Sequence, residues 1–578
     1  MTAAKGKLLF SFGVITDTHV RAPEGDLSSP YPVNELANDR AKFAVSVLAQ
    51  EFADFCFHLG DMVHPLPGMP AYDSACSTAI EILSPLQPNL YFVPGNHDIG
   101  DKPMPGLPAA AVSDSAVQDY RRHFGKDYYC FEHSDCLFVV LNSSLINCDQ
   151  LLQQTAWLEA TLQQNKCDRV FLLLHYPPFI HSEAEDEHYD NLAEPGRSWL
   201  INLIREHAVE MVLSGHVHHH FYNRIGSCKC YTLSPTSFTR QDYAEIFKTV
   251  PAAEYGRDDL GKYGVSVIDV FEIGNRLRFI PTYGAQKAGP GTSRSASRDT
   301  ETPLTVPLRH AWHESIDLPY NGPMEEFSRK RCRNDYVFLR LRQMGIKDVR
   351  VPIDDVIDPV SRSRVADYVA DGFRFHAFCP GYLLEKKIEQ AKEGLALLST
   401  LECVAADSIE SIEEPSAVVS GLPLIVGYAL TGAHRSNTGK PFAHSVSSGF
   451  LWQDQHKVLS VLSAWSKPVY GVVFQIPWEQ DVAVTLVEMQ SRFASLAYKC
   501  IACVRMAKSS PAAENFDDEA IQARIQQALQ CAESLPAVEL QLDTSMDVDR
   551  GYSPRHGLFD RLTNLRAAGI ALSDSPSK

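Results

Sequence analysis

Five short stretches of the chain carry side chains that could bind a metal or move a proton. They are rich in aspartate and histidine, and they are Asp17-Thr18-His19, Gly60-Asp61, Gly95-Asn96-His97-Asp98, His175 and Gly215-His216-Val217-His218. Carboxylate and amide oxygens, together with imidazole nitrogens, suit borderline divalent or trivalent metals. A stretch such as D-x-H is weak evidence alone, because it is more often a solvated turn. The combined set indicates one shared metal site, provided that the fold brings the stretches together.

Each of these stretches directly follows a run that predicts a buried strand. The runs are LLFSFGVI, FADFCFHL, NLYFVP, RVFLLL and EMVLS. In an open α/β sheet the ligand crevice lies just beyond the carboxyl ends of the strands. We therefore expect all five stretches at the same edge of the same sheet. Asp17 and His19 stand two residues apart, as do His216 and His218, so each pair faces one way if the chain stays extended.

The side chains themselves suggest different roles. A carboxylate such as Asp61 can bridge two metals, which a neutral group does poorly, and Asn96 offers a neutral carbonyl oxygen as a ligand. His97 is then available to transfer a proton or to stabilise a developing charge. We expect Asp98 to hold the His97 ring in place, as a carboxylate commonly does for a functional histidine. The alternative for His97 is a place outside the metal shell or at the surface.

Length and charge bound the class of protein. The chain has 578 residues, too many for one core, and its 45% hydrophobic content is enough to bury several. A net charge of −18 argues against a nucleic-acid or anionic-membrane binder, because such proteins need a basic face. A small phosphate substrate stays compatible, since bound metals can dominate the local field. The acidic segment 182–188 is either a solvated loop, which its charge favours, or a lid that selects substrate.

Cysteine usage and apolar runs indicate the compartment. The 14 cysteines are scattered, and several lie in apolar runs, where a free cysteine behaves as a small hydrophobe. A reducing compartment is the default for such usage. The start of the chain only faintly mimics a signal peptide, because no small-residue cleavage site precedes Asp17. No apolar run reaches the roughly 18 residues needed to span a membrane. We therefore expect a soluble, cytoplasmic protein with no membrane partner.

A shift in composition divides the chain. The stretch from Gly284 to Pro303 is rich in Gly, Ser, Thr and Pro and lacks apolar periodicity, which is typical of a linker or a mobile loop. We predict a first domain at residues 1–285, a linker at 286–306 and a second α/β domain at 307–578.

The second domain has the pattern of a TIM-like (β/α)8 barrel. Its length of about 270 residues is near the ~250 that such a barrel needs. Short apolar strand candidates alternate with helical patterns, and they are KDVRVPI, FRFHAFC, LECVAAD, LPLIVGYAL, PVYGVVFQI, KCIACVRM and AVELQL. Polar residues near the strand ends are Asp354, Asp355, His376, Gln475, Arg505 and Asp543. They are either a second site at the mouth of the barrel or ordinary strand-end residues, because no motif here names a chemistry.

Together the five motifs resemble the calcineurin-like metallophosphoesterase superfamily. The pattern of that family runs D-x-H, G-D, G-N-H, H and G-H-x-H, and every part is present in that order. The form with G-N-H-D is also similar to the class III cyclic-nucleotide phosphodiesterases and their glycerophosphodiesterase relatives. The resemblance covers about residues 8–285 and implies a four-layered α/β/β/α domain with two metals.

The resemblance also implies a set of ligands. One metal would be held by Asp17, His19 and His218, the other by Asn96, His175 and His216, with Asp61 as the bridge. Two metals roughly 4 Å apart can generate a bound hydroxide and neutralise the phosphoryl oxygens during in-line attack. His97 would then protonate or polarise the leaving oxygen. The metals would be Fe, Mn, Zn or Co, because nitrogen and oxygen ligands do not decide among them.

The function implied by the resemblance is hydrolysis of a small phosphoester substrate, with a phosphodiester favoured by family likeness. Two alternatives stay open, a phosphomonoesterase and a metal-stabilised binding or scaffold protein without catalysis. The complete ligand set and His97 favour the enzyme. A nucleic-acid polymer is not expected as a partner, and a homo-oligomer is compatible with the sequence.

Overall fold

The computed structural model describes most of the chain. The described residues are 5–24, 32–103, 111–145, 151–240, 243, 260–287, 301–308, 312–319, 329–406, 408–415, 419–431, 446–506, 517–547 and 556–574. They form two compact units. The first unit comprises Met1–Ala296 and Glu314–Leu339, and the second comprises Ser297–His313 and Arg340–Lys578. Most of the predicted linker, residues 288–300, lies outside the described residues.

Two mixed sheets form the centre of the first unit. Their strands are β1 (Lys5–Ile15), β2 (Phe55–His58), β3 (Leu90–Phe92), β4 (Tyr129–His133), β5 (Cys136–Val140), β6 (Arg169–Leu173), β7 (Met211–Ser214), β8 (Phe221–Ile225), β9 (Cys228–Thr232), β10 (Gly264–Ile273) and β11 (Asn275–Pro281). The first sheet has the order β11-β10-β1-β2-β3, and the second has the order β4-β5-β6-β7-β9-β8. Strands β1 to β3 run parallel, as do β5, β6, β7 and β9.

The two sheets pack face to face through aromatic side chains. The Phe12 ring of β1 lies 5.3 Å from that of Phe138 in β5 and 6.0 Å from that of Phe171 in β6, both edge to face. All three side chains are at most 1% exposed. Edge-to-face contact is a favoured geometry for aromatic pairs and adds to the free energy of burying their large apolar area.

Helices cover the outer faces of these sheets. The α-helices in the described part of the chain, in both units, are α1 (Ala37–Ala49), α2 (Tyr72–Leu83), α3 (Asn96–Ile99), α4 (Asp114–Phe124), α5 (Leu151–Gln164), α6 (Gly196–Glu206), α7 (Tyr336–Gln343), α8 (Asp354–Ile357), α9 (Pro359–Ala370), α10 (Leu384–Gln390), α11 (Gln455–Ser463), α12 (Val482–Phe493), α13 (Asp518–Ala532) and α14 (Ala567–Asp574). Leu48 of α1 and Ala79 of α2 share a core with β1. Leu158 of α5 and Leu200 of α6 share a core with β6. The predicted α/β/β/α layering is confirmed. Within the described part of the chain, no helix is both long and apolar enough to cross a membrane.

The five candidate metal-binding stretches come from both sheets. Those after β1, β2 and β3 belong to the first sheet, and those after β6 and β7 belong to the second. The expectation that one sheet carries all five is therefore wrong. Hydrophobic runs identify strands, but the pairing of strands depends on contacts between residues far apart in the chain.

The second unit is a closed barrel of parallel strands. The remaining strands among the described residues are β12 (Leu304–Pro307), β13 (Ser315–Pro319), β14 (Arg329–Arg333), β15 (Asp348–Pro352), β16 (Arg374–Pro380), β17 (Leu398–Ala405), β18 (Leu424–Thr431), β19 (Val446–Ser448), β20 (Phe450–Leu451), β21 (Gly471–Ile476), β22 (Lys499–Val504) and β23 (Val538–Leu542). Parallel pairing runs through β12, β15, β16, β17, β18, β21, β22 and β23 and returns to β12. The predicted TIM-like barrel is confirmed.

Two features depart from the predicted domain boundaries, which otherwise stay a prediction. Leu304–Pro307 forms the first barrel strand, although most of it falls in the predicted linker, because its four-residue apolar run is too short to stand out. The hairpin of β13 and β14 belongs to the first unit rather than the second. There Arg333 Nη2 donates to Asn223 Oδ1 at 2.6 Å, and the Tyr222 N–H donates to Asp335 at 2.9 Å. Such long-range contacts leave no local signal in the sequence.

Candidate metal centre

The backbone turns sharply where the candidate ligands follow their strands. Five of them adopt the left-handed region, with φ of 54° at Asp17, 45° at His19, 54° at Asp61, 69° at His216 and 54° at His218. Residues with a Cβ seldom adopt positive φ, and such strain concentrates at functional sites. The strain at these five positions supports a functional centre.

Two glycines of the motifs allow the strand ends to approach closely. Gly60 has a φ of 103°, and a Cβ there would lie 2.5 Å from His175 Nδ1. A Cβ on Gly95 would lie 2.2 Å from the Asp61 backbone nitrogen. Any other residue at these positions would push apart the segments that carry the ligands.

The first cluster joins three of the stretches. Ligand atoms of Asp17, His19, Asp61 and His218 all lie within 4.8 Å of one another. His218 Nε2 is 3.3 Å from Asp17 Oδ1, and His19 Nε2 is 3.5 Å from Asp61 Oδ2. The four residues are at most 3% exposed. These atoms converge as ligands around a cation do.

The second cluster shares Asp61 with the first. Ligand atoms of Asp61, His175 and His216 lie within 4.8 Å of one another. Asn96 Oδ1 lies 3.1 Å from His175 Nε2 and 2.9 Å from His216 Nδ1. Asp61 faces this cluster with Oδ1, which is 3.2 Å from His175 Nε2, and it faces the first with Oδ2. Each carboxylate oxygen of Asp61 therefore serves one cluster, as a bridging ligand does.

The hydrogen bonds of the rings test whether these residues fit a metal. His175 Nδ1 pairs with the Leu59 carbonyl at 2.7 Å, and His218 Nδ1 pairs with the Phe238 carbonyl at 2.6 Å. A carbonyl only accepts, so Nδ1 carries the proton and Nε2 presents its lone pair to the cluster. Metal-binding histidines commonly have this arrangement. The donor set therefore fits a divalent metal.

Burial and mutual charges set the protonation of the centre. Burial, followed by the charge of His97, lowers the pKa of His19 well below its ordinary value, and burial followed by His175 does the same to His216. Burial opposes ionisation of Asp61, but His175 and His97 hold its pKa well below the ordinary value. Burial would lower the pKa of His175, but the Asp61 carboxylate raises it to about 9. Ligands bind metals when deprotonated, so metal binding would displace a proton from His175.

His97 lies beside the first cluster. Its Nδ1 hydrogen-bonds to the His64 carbonyl, and its ring centroid is 4.7 Å from that of His19. Because the carbonyl accepts, Nδ1 donates and Nε2 is the atom left to act on a ligand. This position agrees with a role next to the metals.

Asp98 does not hold the ring of His97, and that prediction is corrected. The Asp98 carboxylate accepts the backbone N–H of Asp61 at 2.8 Å, of Gly95 at 2.9 Å and of Val63 at 3.2 Å. Neighbouring residues on a helical turn project in different directions, and both lie in α3. Burial, followed by the Asp61 charge, raises the pKa of Asp98 to about 8. Asp98 therefore fixes the two turns that carry the ligands.

Two further residues touch the centre and were missed by the sequence analysis. His64 is buried, with Nδ1 3.3 Å from His19 Nδ1, and it forms a third candidate metal group with His19 and His97. Tyr189 Oη accepts from Asn96 Nδ2 at 3.1 Å, which turns the Asn96 oxygen toward the second cluster. His64 stands three residues after Asp61, a weak signal, whereas nothing in the sequence pairs Tyr189 with Asn96.

A buried network of charged side chains lies next to the Nε2 side of the His216 ring. Asp190 Oδ1 is 3.7 Å from His216 Nε2. The Asp190 carboxylate accepts from Lys330 Nζ at 2.5 Å and from Tyr243 Oη at 2.9 Å, and it pairs with Arg240. Lys330 lies on β14, beyond the residues that carry the motifs. The side chains of Lys330 and Asp190 are fully buried.

The acidic segment 182–188 is more than a solvated loop. The Glu185 side chain is 9% exposed and accepts the backbone N–H of Ile180 at 2.9 Å and of His181 at 2.8 Å. It also accepts from Asn191 Nδ2 at 2.8 Å and lies 3.1 Å from His188 Nε2. The loop therefore folds around one carboxylate, and it leads directly into Tyr189 and Asp190.

Comparison with known proteins agrees with the motifs. Residues 10–220 match the family model described as calcineurin-like phosphoesterase. The chain is 31% identical over 169 residues to the serine/threonine-protein phosphatase CPPED1 of Bos taurus, covering 28% of this chain and 51% of that protein. It is 32% identical over 169 residues to the Danio rerio protein of that name, covering 28% and 52%. The chain spans about half the length of these curated relatives.

The purple acid phosphatase PPD1 from yellow lupin superposes with a TM-score of 0.34 at 14% identity, covering 50% of this chain and 53% of that one. One part of the chain contains the ordered motifs, the two clusters of candidate ligands and the match to the family model. Residues 10–220 are a calcineurin-like phosphoesterase domain.

Proposed function

We propose that the first unit is a metal-dependent phosphoester hydrolase. The observation that carries the proposal is the position of Asp61, whose two oxygens face two separate clusters of buried imidazoles. A pair of sites bridged by one carboxylate suits two metals that act on one phosphoryl group. The first metal would be held by Asp17, His19 and His218 with Asp61. The second would be held by Asn96, His175, His216 and Asp61.

The residues of this chain have separate tasks in such a reaction. When bound, the metals supply Lewis acidity and lower the pKa of a water. Asp98 holds the turns that carry Asp61 and Gly95, so the two clusters keep their spacing. The His97 ring lies beside that of His19 at the first cluster, and its Nε2 would donate a proton, or a hydrogen bond, to the leaving oxygen. Burial of the cluster excludes competing water and strengthens each electrostatic contact.

For the substrate we infer a phosphomonoester. The curated relatives carry the name serine/threonine-protein phosphatase, and their matched segments are 31–32% identical to this chain. A phosphodiester is the second candidate, because the G-N-H-D form is similar to class III phosphodiesterases. Loop 179–196 contributes Tyr189 beside Asn96, so it would help to shape the pocket for the leaving group.

A scaffold protein without catalysis is less consistent with these features. A purely structural metal site is closed and needs no proton donor beside it. Here His97 and His64 stand next to the first cluster, and five ligand positions are strained. Such strain costs of order 1–3 kcal/mol per residue and persists at functional sites. A structural role alone would not require it.

A substrate panel on metal-reconstituted protein tests the proposal. The panel contains p-nitrophenyl phosphate, bis-p-nitrophenyl phosphate and a phosphoserine peptide, each with Mn²⁺, Fe²⁺, Zn²⁺ or Co²⁺. We expect turnover of the monoesters above that of the diester, with little turnover after chelation. A protein that holds two metals per chain but turns over no phosphoester would contradict hydrolysis. Faster turnover of the diester than of the monoesters would mean that the substrate is a phosphodiester, not a phosphomonoester.

A further inference from the structure

The interior of the barrel is unusually polar. Phe474 of β21 packs outward on Phe493 of α12, with ring centroids 5.9 Å apart. Successive strand residues point to opposite faces, so Gln475 points into the barrel. Gln475 is paired in register with Cys503 of β22, which is paired with Gln541 of β23. These three side chains therefore lie side by side on the inner face, and each is at most 4% exposed.

An ion pair lies on the same inner face. Arg350 of β15 donates to the Glu402 carboxylate of β17 through Nε at 2.5 Å and Nη2 at 3.1 Å. On the neighbouring strand β18, a Cβ at Gly427 would lie 2.0 Å from Glu402 Oε1. Glycine at this position therefore leaves room for a carboxylate inside the barrel. Glu402 is 3% exposed.

A second ion pair stands at the carboxyl ends of the strands. Arg505 directly follows β22 and Asp543 directly follows β23, and Arg505 Nε is 3.1 Å from Asp543 Oδ2. His556 Nε2 is 3.6 Å from the same oxygen. Burial, followed by the Asp543 charge, raises the pKa of Cys503 to about 12, and Arg505 opposes this. The polar side chains of the inner face thus continue to the mouth of the barrel.

This interior departs from the usual filling of the fold. Barrels of this type are filled by layers of bulky branched apolar side chains. Here Ile425, Val473, Ile501 and Cys503 form one apolar cluster, whereas the other inner-face side chains named above are polar or charged. A buried ion pair seldom stabilises a protein more than apolar packing of the same volume. Two such pairs and two amides at one end therefore indicate a role besides stability. Ligand sites of this fold lie at the carboxyl ends of the strands.

We propose that this end of the barrel binds a neutral polyhydroxylated ligand, a sugar ring or a cyclic polyol. The set is Arg350, Glu402, Gln475, Arg505, Gln541 and Asp543. The two arginines balance the charge of the two carboxylates, so the set is neutral. A site for an anionic ligand would need an excess of positive side chains, and a site for a cationic ligand would need an excess of negative ones. Hydroxyl groups donate and accept, so they match carboxylate, amide and guanidinium groups together.

The same pairs argue for binding rather than hydrolysis. A glycosidase of the usual kind needs one carboxyl group that keeps its proton and donates it to the leaving oxygen. Both Glu402 oxygens accept from Arg350, and the two Asp543 oxygens face the Met506 N–H at 3.0 Å and Arg505 Nε at 3.1 Å. Neither group is therefore suited to act as a general acid. The site serves to recognise a ligand.

Ligand-observed NMR and calorimetry on the full chain test this proposal. The probes are glucose, galactose, mannose and myo-inositol, with inorganic phosphate and choline as charged comparators. We expect saturable binding of at least one polyol and of neither ion. Glu402→Gln and Asp543→Asn should each weaken that binding by about tenfold or more. Gln541→Met removes an amide whose contact is a 3.8 Å approach to the Cys503 sulfur, so it should fold normally and still weaken binding.

A matched control lies at the opposite end of the same barrel. Asp348, the first residue of β15, pairs with Arg374 at 2.7 and 2.6 Å. Asp348→Asn removes the same kind of ion pair, so it should lower stability and leave polyol binding unchanged. The proposal fails if no polyol binds at millimolar concentration, or if phosphate or choline binds instead. It also fails if Gln541→Met binds normally, or if Asp348→Asn weakens binding as much as Asp543→Asn does.

Discussion

Lys330 Nζ lies 2.5 Å from Asp190 Oδ2 in the interior of the first unit, although 140 residues separate the two in the chain. Both side chains are 0% exposed, and Asp190 lies 3.7 Å from His216 Nε2. The hairpin of β13 and β14 therefore contributes to the surroundings of the second cluster.

Replacement of Lys330 tests this contribution. Lys330→Met leaves the buried Asp190 carboxylate with less compensation, so we expect a loss of about 3 kcal/mol in the free energy of unfolding. The affinity for one metal should fall as well, by about 10-fold, because the Asp190 carboxylate beside His216 loses one of the groups that fix its position. Urea unfolding and metal titration measure the two effects.

The control for Lys330 lies next to it on β14. Arg331 pairs with Asp317, and both side chains are more than half exposed, so Arg331→Met should change stability by less than about 1 kcal/mol.

A chain ending near residue 288 retains every predicted ligand but lacks Lys330. We expect that shorter chain to be insoluble or poor in metal. Normal metal content in it would contradict a role for the hairpin.

The bridging position of Asp61 leads to a second prediction. Asp61→Asn keeps the shape but removes the charge shared by the clusters, so at least one metal should bind more weakly and turnover should fall by orders of magnitude. Elemental analysis and p-nitrophenyl phosphate turnover measure both. Asp127→Asn is the control, because Asp127 is equally buried but pairs with Arg121 at 2.7 Å. If Asp61→Asn keeps two metals and full turnover, the binuclear assignment is wrong.

A third prediction separates metal binding from chemistry at His97. His97→Ala should retain both metals and lower kcat by about 10²–10⁴-fold, because the lost group transfers a proton. Metal content and steady-state kinetics are measured on the same sample. Loss of metal without a separate kinetic defect would instead make His97 a ligand, together with His64 and His19.

The folded acidic loop gives a prediction for pH. Burial alone would raise the pKa of Glu185, but its hydrogen bond with His188 and that ring's charge lower the pKa from 4.5 to about 2. A lowered pKa stabilises the fold above the ordinary pKa, and that contribution, about 3 kcal/mol here, is lost as pH falls through the folded pKa. The stability difference between wild type and Glu185→Gln should therefore have its full value just above pH 4.5 and shrink between pH 4.5 and about 2.

Unfolding experiments on chelated protein measure this difference, since chelation removes the separate effect of acid on metal binding. Glu187→Gln changes an exposed carboxylate in the same loop and should leave the pH dependence as in wild type. A constant difference for Glu185→Gln down to pH 2 would mean that the Glu185 carboxylate is not stabilised by the fold.

Local patterns in the sequence were enough to predict the ligand types and the positions at which the chain presents them. Asp17, Asp61 and His175 each follow an apolar run that forms a strand, because strand formation depends on local apolar patterning. The resemblance of the ordered motifs to the metallophosphoesterase family implied the α/β/β/α layers. The repeated apolar runs after residue 307 predicted the barrel. These features are encoded within a few neighbouring residues, so a single sequence is enough to find them.

Tertiary folding, by contrast, sets which distant segments of the chain meet. It divided the strands between two sheets, and it directed Asp98 to the backbone of Asp61 rather than to His97. It also placed Lys330 beside Asp190. Each of these contacts joins different turns or strands, so its partner is chosen by packing and burial across the fold. Local patterns carry no record of that choice, because the free energy of such a contact exists only once the whole unit is folded.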